Sequence, residues 1–393
     1  MADKKKTNKK KISTLVAQQV PEFVLTDHPK FTEFLSSYFL FMESAELNLD
    51  TFTKMIYMKR RIKFVFVVLF LISFLSFGQT RNDSISKPMK LVQPKYLKAG
   101  DSIAIVASAG ILIKREEIID KAKKLAESWG LKVFIGDHVF NQNNHFAGTD
   151  EERASDFQKA LDNPSIKAIW CARGGYGSAR ILDKLEYTKF KARPKWIVGY
   201  SDITAFHSHI HNLGIQTIHA MMGTSLLFDL EETKQSIETF RKALFGEELR
   251  YEINSSEYNK KGDAEGLLVG GNLSILQSML GSESQLNTDG SILFIEEIGE
   301  YKYHIDRMLH SLKRAGYFDK CKGLIVGDMS NIKKNTTAWG SSIEQLILEV
   351  VAEFDFPVLF NFPAGHETDN RALILGKTIT MNIKSTTSEV IFK

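Results

Sequence analysis

From Lys90 onward, short apolar runs alternate with stretches of helical spacing, and no other feature limits the fold as much. DSIAIVAS (101–108) has the length and apolarity of a short buried strand, and LKVFIG (131–136), IKAIWCA (166–172) and KWIVGY (195–200) read as further strands. Helical spacing fills about Lys114 to Trp129, and Asp150 reads as the cap of a helix through about Leu161, with Glu151 and Glu152 suited to its dipole. This alternation predicts a parallel sheet covered on both faces, with ligands gathered at the carboxyl ends of its strands. Residues 90–245 read as that α/β domain.

A polar link near Glu247 to Lys261 precedes a second region, 262–393, which reads as a smaller mixed domain. It holds AEGLLVGGNLSILQSMLG, the strand SILFIEEIGE, a helix from about Tyr303 to Arg314 and the strand KGLIVGD. A helix around Ile343 to Phe354 and the loop PAGHETDN follow, and KTITMNIKSTTSEVIFK reads as a closing two-stranded ribbon.

The front of the chain is composite. Residues 58–78 combine a basic cluster, an apolar run from Phe64 to Leu75 and the small-x-small site Ser76-Phe77-Gly78, the layout of a secretory signal peptide. The run is short for a membrane span, which needs roughly 18 to 20 apolar residues. Translation from Met58 would export the protein to the periplasm, and an uncleaved segment would anchor it. Residues 1–57 read as an extension foreign to the folded protein, from a misplaced start or a fused reading frame; a cytoplasmic protein is the alternative.

Net charge is +4, but the first eleven residues hold six lysines and one aspartate, more than the whole excess. The remainder offers no basic balance for a nucleic-acid partner. The two cysteines, Cys171 and Cys321, cannot build a disulfide framework or a zinc site by themselves.

Chemistry-bearing residues cluster where strands end. IVGYSD stops an apolar run on Gly199, Tyr200, Ser201 and Asp202. A sharp strand-to-helix turn would expose Ser201 as a nucleophile, although Ile203 stands where the second glycine of G-x-S-x-G belongs. The alternative is a helix cap, with Ser201 or Asp202 accepting a backbone N–H. Both remain open at this point. His366 follows an apolar strand and a Pro-Ala-Gly loop, which presents it as a base. Glu296 closes SILFIE; side chains alternate along a strand, so it and Glu297 should face opposite ways, one toward a site and the other toward solvent. ARGGYGSAR (172–180) lacks phosphate-binding spacings, but its glycines could offer N–H groups to an oxyanion. In FHSHIH, His207 and His211 share a helix face and His209 does not, so three metal ligands cannot converge from it. Cys171, inside an apolar strand, is a poor nucleophile.

Seven segments, LKAGDSIAIVAS, ARGGYG, GYSDITAFH, GGNLS, LFIEEIGE, IDRML and FPAGHETDN, occur in this order over about Leu91 to Lys393. Together they resemble the LD-carboxypeptidases, also called muramoyltetrapeptide carboxypeptidases. The resemblance implies a flavodoxin-like parallel-sheet N-terminal domain, a smaller β-rich C-terminal domain, a homodimer, and no cofactor or metal. It assigns Ser201 as nucleophile, His366 as base and Glu296 as the group orienting it. Oxyanion donors would be the backbone of Asp202 and of Gly174 or Gly175. The implied substrate is a murein peptide, cleaved at the L,D bond before a terminal D-alanine. A microcin-immunity-like hydrolase of aminoacyl adenylate analogues and a periplasmic ligand-binding protein without turnover are the alternatives. The chain departs from the family at IHAMM (218–222) and Tyr303-His304, both expected to line the substrate groove.

Overall fold

Strands β1 (Ser102–Val106), β2 (Lys132–Ile135), β3 (Ile166–Cys171), β4 (Trp196–Gly199) and β5 (Thr217–His219) pair in parallel in the order β2-β1-β3-β4-β5. That is the flavodoxin-type order. The computed structural model of the chain describes residues 91–112, 114–228 and 231–393. The expectations for residues 1–57 and 58–78 lie outside the described residues.

Helices α1 (Glu116–Ser128), α2 (Asp150–Asp162), α3 (Thr188–Ala192), α4 (Thr204–Asn212) and α5 (Lys234–Phe245) accompany this sheet. α1 turns Ile118, Ile119, Ala122 and Ala126 into the core. The cap of α2 is Thr149, one residue before the expected Asp150: its hydroxyl accepts from Glu152 N, and the Glu152 carboxylate accepts from Thr149 N. Phe157 of α2 and Phe206 of α4 stack with ring centroids 4.3 Å apart, which locks the helix after β4 against its neighbour.

The second sheet is mixed. It comprises β6 (Arg250–Asn254), β7 (Gly262–Asn272), β8 (Ser291–Ile298), β9 (Gly323–Ser330), β10 (Val358–Leu359), β12 (Thr378–Ile383) and β13 (Thr387–Phe392), in the order β10-β9-β8-β7-β12-β13-β6. β7 through β10 run parallel, interleaved with α6 (Leu273–Ser278), α7 (Lys302–Arg314) and α8 (Ile343–Val350); β12, β13 and β6 pair antiparallel.

Two elements depart from the sequence reading. Part of the presumed polar link is the edge strand β6, where only Tyr251 and Ile253 are buried and the alternate residues face water. β11 (Leu373–Leu375) leaves the second region and pairs antiparallel with β5, extending the first sheet. One apolar cluster therefore spans both sheets, from Ile103 and Trp170 to Phe294, Ile325, Phe362 and Met381. β7 also touches α4 closely: a Cβ on Gly271 would lie 2.4 Å from Thr204 Oγ1, which accepts a hydrogen bond from Asn272 N.

Candidate active site

Ser201 follows β4 after one residue, Tyr200, and has φ +61°, left-handed backbone that costs a non-glycine residue energy. Its turn shows no side-chain capping bond, and the Asp202 carboxylate accepts instead from Ser178 N at 2.8 Å. The strained turn, not the cap, is what the chain forms here. Gly199 is required by contact: a Cβ would lie 2.7 Å from Ile203 Cγ1. Ile203, standing where a second glycine is usual, folds back beneath the turn and is fully buried.

His366 reaches this turn from the loop after β10. Its Nε2 lies 3.0 Å from Ser201 Oγ, and its Nδ1 lies 2.6 Å from Glu296 Oε2 on β8. Glu296 is fully buried, and its Oε1 has no hydrogen-bond partner among the described residues. The chain of contacts suits one tautomer: Nδ1–H donates to the carboxylate, leaving Nε2 free to accept from the Ser201 hydroxyl. Burial disfavours the imidazolium, but the Glu296 carboxylate, with Glu297 and Asp328 behind it, outweighs burial and holds the His366 pKa above its ordinary value. The Tyr200 ring stands edge-on to the imidazole at 5.0 Å.

The glycine-rich loop closes over the serine. A Cβ on Gly174 would stand 3.4 Å from Ser201 Cβ and 3.5 Å from its Oγ. Among the described residues no backbone carbonyl takes the N–H of Gly174, Gly175 or Asp202. Donors beside a serine hydroxyl and free of other acceptors are what an oxyanion requires.

Glu297 corrects the sequence reading. It does point away from Glu296, but not into solvent: it is 2% exposed. Its carboxylate accepts from Ser274 N and Oγ, Ile298 N and Asn272 Nδ2, tying β8 to the start of α6. Cys171 is fully buried and its thiol is pushed up to about 12 by burial. The three histidines of α4 diverge: His207 bonds the Gly199 carbonyl, His209 the Ser284 hydroxyl, and His211 is buried. No metal-binding cluster of three or more His, Cys, Asp or Glu occurs among the described residues.

Of the two departures from the family pattern, IHAMM is buried but reaches the site, since Met222 Cε lies 3.3 Å from where a Cβ on Gly174 would stand, beside Ser201. Ala220 and Met221 are fully buried, and Trp170 Nε1 donates to the Met221 carbonyl. Tyr303 is exposed, while His304 Nδ1 pairs with Glu300 Oε2 at 2.5 Å. Sequence reasoning missed two supports. Asn370 Oδ1 accepts from Gly365 N at 3.1 Å and faces His219 Nε2 at 3.3 Å, bracing the His366 loop against β5. Burial pushes His219 down to about 3, which keeps that ring neutral. Asn370 ends the GHETDN segment and Asp328 ends the apolar run KGLIVGD, signals that were both on view.

Residues 103–220 match the LD-carboxypeptidase N-terminal domain and residues 265–381 the LD-carboxypeptidase C-terminal domain. A probable murein peptide carboxypeptidase of Bacillus subtilis (strain 168) is 35% identical over 303 residues, 76% of this chain and 94% of that protein. The crystal structure of muramoyltetrapeptide carboxypeptidase from Oxalobacter formigenes superimposes with TM-score 0.67 at 28% identity, covering 74% of this chain and 98% of that one. The microcin C7 self immunity protein MccF shares the fold at TM-score 0.69 and 24% identity, over 77% of this chain and 98% of that one.

Proposed function

The chain belongs to the LD-carboxypeptidase family of serine peptidases, and we propose that it removes the terminal D-alanine of murein tetrapeptides by hydrolysing the preceding L,D bond. The observation that carries this reading is the Ser201–His366–Glu296 chain of hydrogen bonds, with Ser201 raised on a strained turn.

In the proposed reaction His366 Nε2 takes the Ser201 proton as Oγ bonds to the peptide carbonyl carbon. The carbonyl oxygen becomes an oxyanion, and Asp202 N–H with Gly174 or Gly175 N–H receives it, a contribution of about 3 kcal/mol per donor in comparable sites. The C–N bond then breaks as His366 returns the proton to the departing amine of D-alanine. Water repeats the sequence on the acyl-enzyme and frees the shortened peptide. Glu296 keeps the imidazole in its working tautomer and stabilises the imidazolium formed in passing.

Mass spectrometry of murein tri-, tetra- and pentapeptides after incubation tests this. Loss of one alanine from the tetrapeptide, absent with Ser201→Ala, is the expected result. Turnover of an aminoacyl adenylate analogue in its place would move the chain to a microcin-immunity-like activity. Failure of a fluorophosphonate probe to label Ser201 would favour ligand binding without turnover.

Export belongs to the same proposal. The basic cluster, apolar run and Ser76-Phe77-Gly78 site support cleavage before Gln79 when translation starts at Met58. N-terminal sequencing of the exported product is the check, and a product retaining Lys59 to Lys63 would favour an anchor.

A further inference from the structure

β8 and β9 change register beside the site. Ile295 pairs with Val326 and Glu297 with Met329, so Glu296 alone opposes both Gly327 and Asp328. Such a bulge adds a residue to one strand and re-aims its side chains, and bulges gather next to active sites. Here it turns Asp328 toward the loop that carries His366.

Asp328 engages that loop on both sides of the histidine. Its N–H donates to the Ala364 carbonyl at 2.9 Å, two residues before His366. Its Oδ2 accepts from Glu367 N at 3.0 Å, one residue after. Gly365 makes room: it has φ +144°, and a Cβ there would lie 2.8 Å from Asp328 Cβ. The titratable groups facing Asp328 are Glu367 and His366 from the loop and Glu296 from β8. Burial, joined by repulsion from Glu367 and Glu296, raises its carboxyl to about 6. On its outer side lies a cavity of about 320 Å³, also lined by Glu344, Asn361 and Asp369.

We infer that Asp328 is a positioning residue: from the β9 bulge it clamps the main chain on either side of His366 and so sets where the imidazole stands between Ser201 and Glu296. None of the seven segments that carry the resemblance includes it, and it touches none of the reacting atoms. The inference rests on the reading of His366 as the base for Ser201.

The test is the rate at which a serine-directed fluorophosphonate labels the full chain across pH, since labelling needs the base but no peptide substrate. Asp328→Ala, which removes the acceptor, should label on the order of 10²-fold more slowly, the usual effect of a displaced catalytic group. Asp328→Asn keeps an oxygen for Glu367 N–H. It should recover most of the rate at alkaline pH while its acidic midpoint falls, because a negative charge facing His366 is gone. Rates and midpoints within twofold and about 0.2 pH of the parent in both variants would overturn the inference. So would equal losses in both with an unmoved midpoint, which is what simple structural damage gives. If circular dichroism finds Asp328→Ala unfolded, the Asn profile decides alone by the same limits. Labelling that persists in Ser201→Ala would instead overturn the underlying reading of the site.

Discussion

Ser201 Oγ and His366 Nε2 stand 3.0 Å apart although 165 positions separate the two residues in the chain. Ser201 stands two residues beyond β4 of the first sheet, and His366 rides a loop that leaves the second. What spans the distance is local and polar: Asn370, four residues after His366, reaches His219 at the end of β5, and β11 then joins that sheet. The serine and the histidine are thus held by one shared framework.

The paired glutamates should separate cleanly on substitution. Glu296→Gln leaves the wrong tautomer favoured on His366 and should lower kcat by roughly 10⁴ with the fold intact. Glu297→Gln turns an NH₂ toward N–H donors that now meet a carboxylate. It should destabilise the protein by about 1–3 kcal/mol while kcat of the folded enzyme stays within about tenfold. Steady-state kinetics beside urea unfolding of each variant makes the comparison. A large kcat loss in Glu297→Gln alone would contradict the geometry.

The acidic limb of kcat/KM should lie above the ordinary histidine value of about 6.5. The sign follows from the raised His366 pKa: the base works when neutral, and neutral imidazole is lost as pH falls through that raised value. Glu296→Gln removes the charge that raises it, so residual activity should show its limb at lower pH. A parent midpoint at or below the ordinary value would contradict this.

The strain at Ser201 should be measurable in stability. Ser201→Ala and Ser201→Gly both lose the hydroxyl, but only alanine keeps a Cβ at φ +61°. The glycine variant should be the more stable of the two by about 1 kcal/mol, since left-handed backbone penalises a Cβ by about 1–2 kcal/mol and glycine's unfolded entropy offsets part of that. Both should be inactive. Thermal melts of the pair under one condition give the answer.

Two glycines with positive φ should respond differently to alanine. At Gly281, φ +77°, a Cβ meets nothing within 4 Å, so only backbone strain of about 1–2 kcal/mol is added. At Gly271 the new methyl also meets Thr204 Oγ1 at 2.4 Å, in the first turn of the helix behind Ser201. Gly271→Ala should cost about 1–3 kcal/mol more through overpacking and lower kcat, whereas Gly281→Ala should leave kcat unchanged. Equal effects would show that β7 does not brace the serine turn.

Much of this was legible before any coordinates. Apolar runs ending in glycine or polar residues announced β1, β3 and β4, because a strand buried on both faces must be apolar throughout and must stop where it meets water. Ser201 and His366 could be named as candidates for the same local reason, each standing where such a run ends, whereas the family resemblance was needed to choose Glu296 over Glu297. What the tertiary structure alone decided were matters of distance. Whether Gly-Tyr-Ser-Asp became a cap or a strained turn depended on partners far along the chain, Ser178 taking the Asp202 carboxylate and His366 meeting the serine. Glu297 looked like a surface carboxylate because nothing beside it in sequence shows the donors of Asn272 and Ser274. Asp328 owes its place to a register shift against β8, and β11 to an open edge on a sheet begun some 270 residues earlier, at Ser102. Hydrophobic periodicity reports which face of an element is buried, through local sterics and solvation. Which elements then meet, and in what register, is settled by packing among residues remote in sequence, where a single added residue in one strand re-aims a side chain.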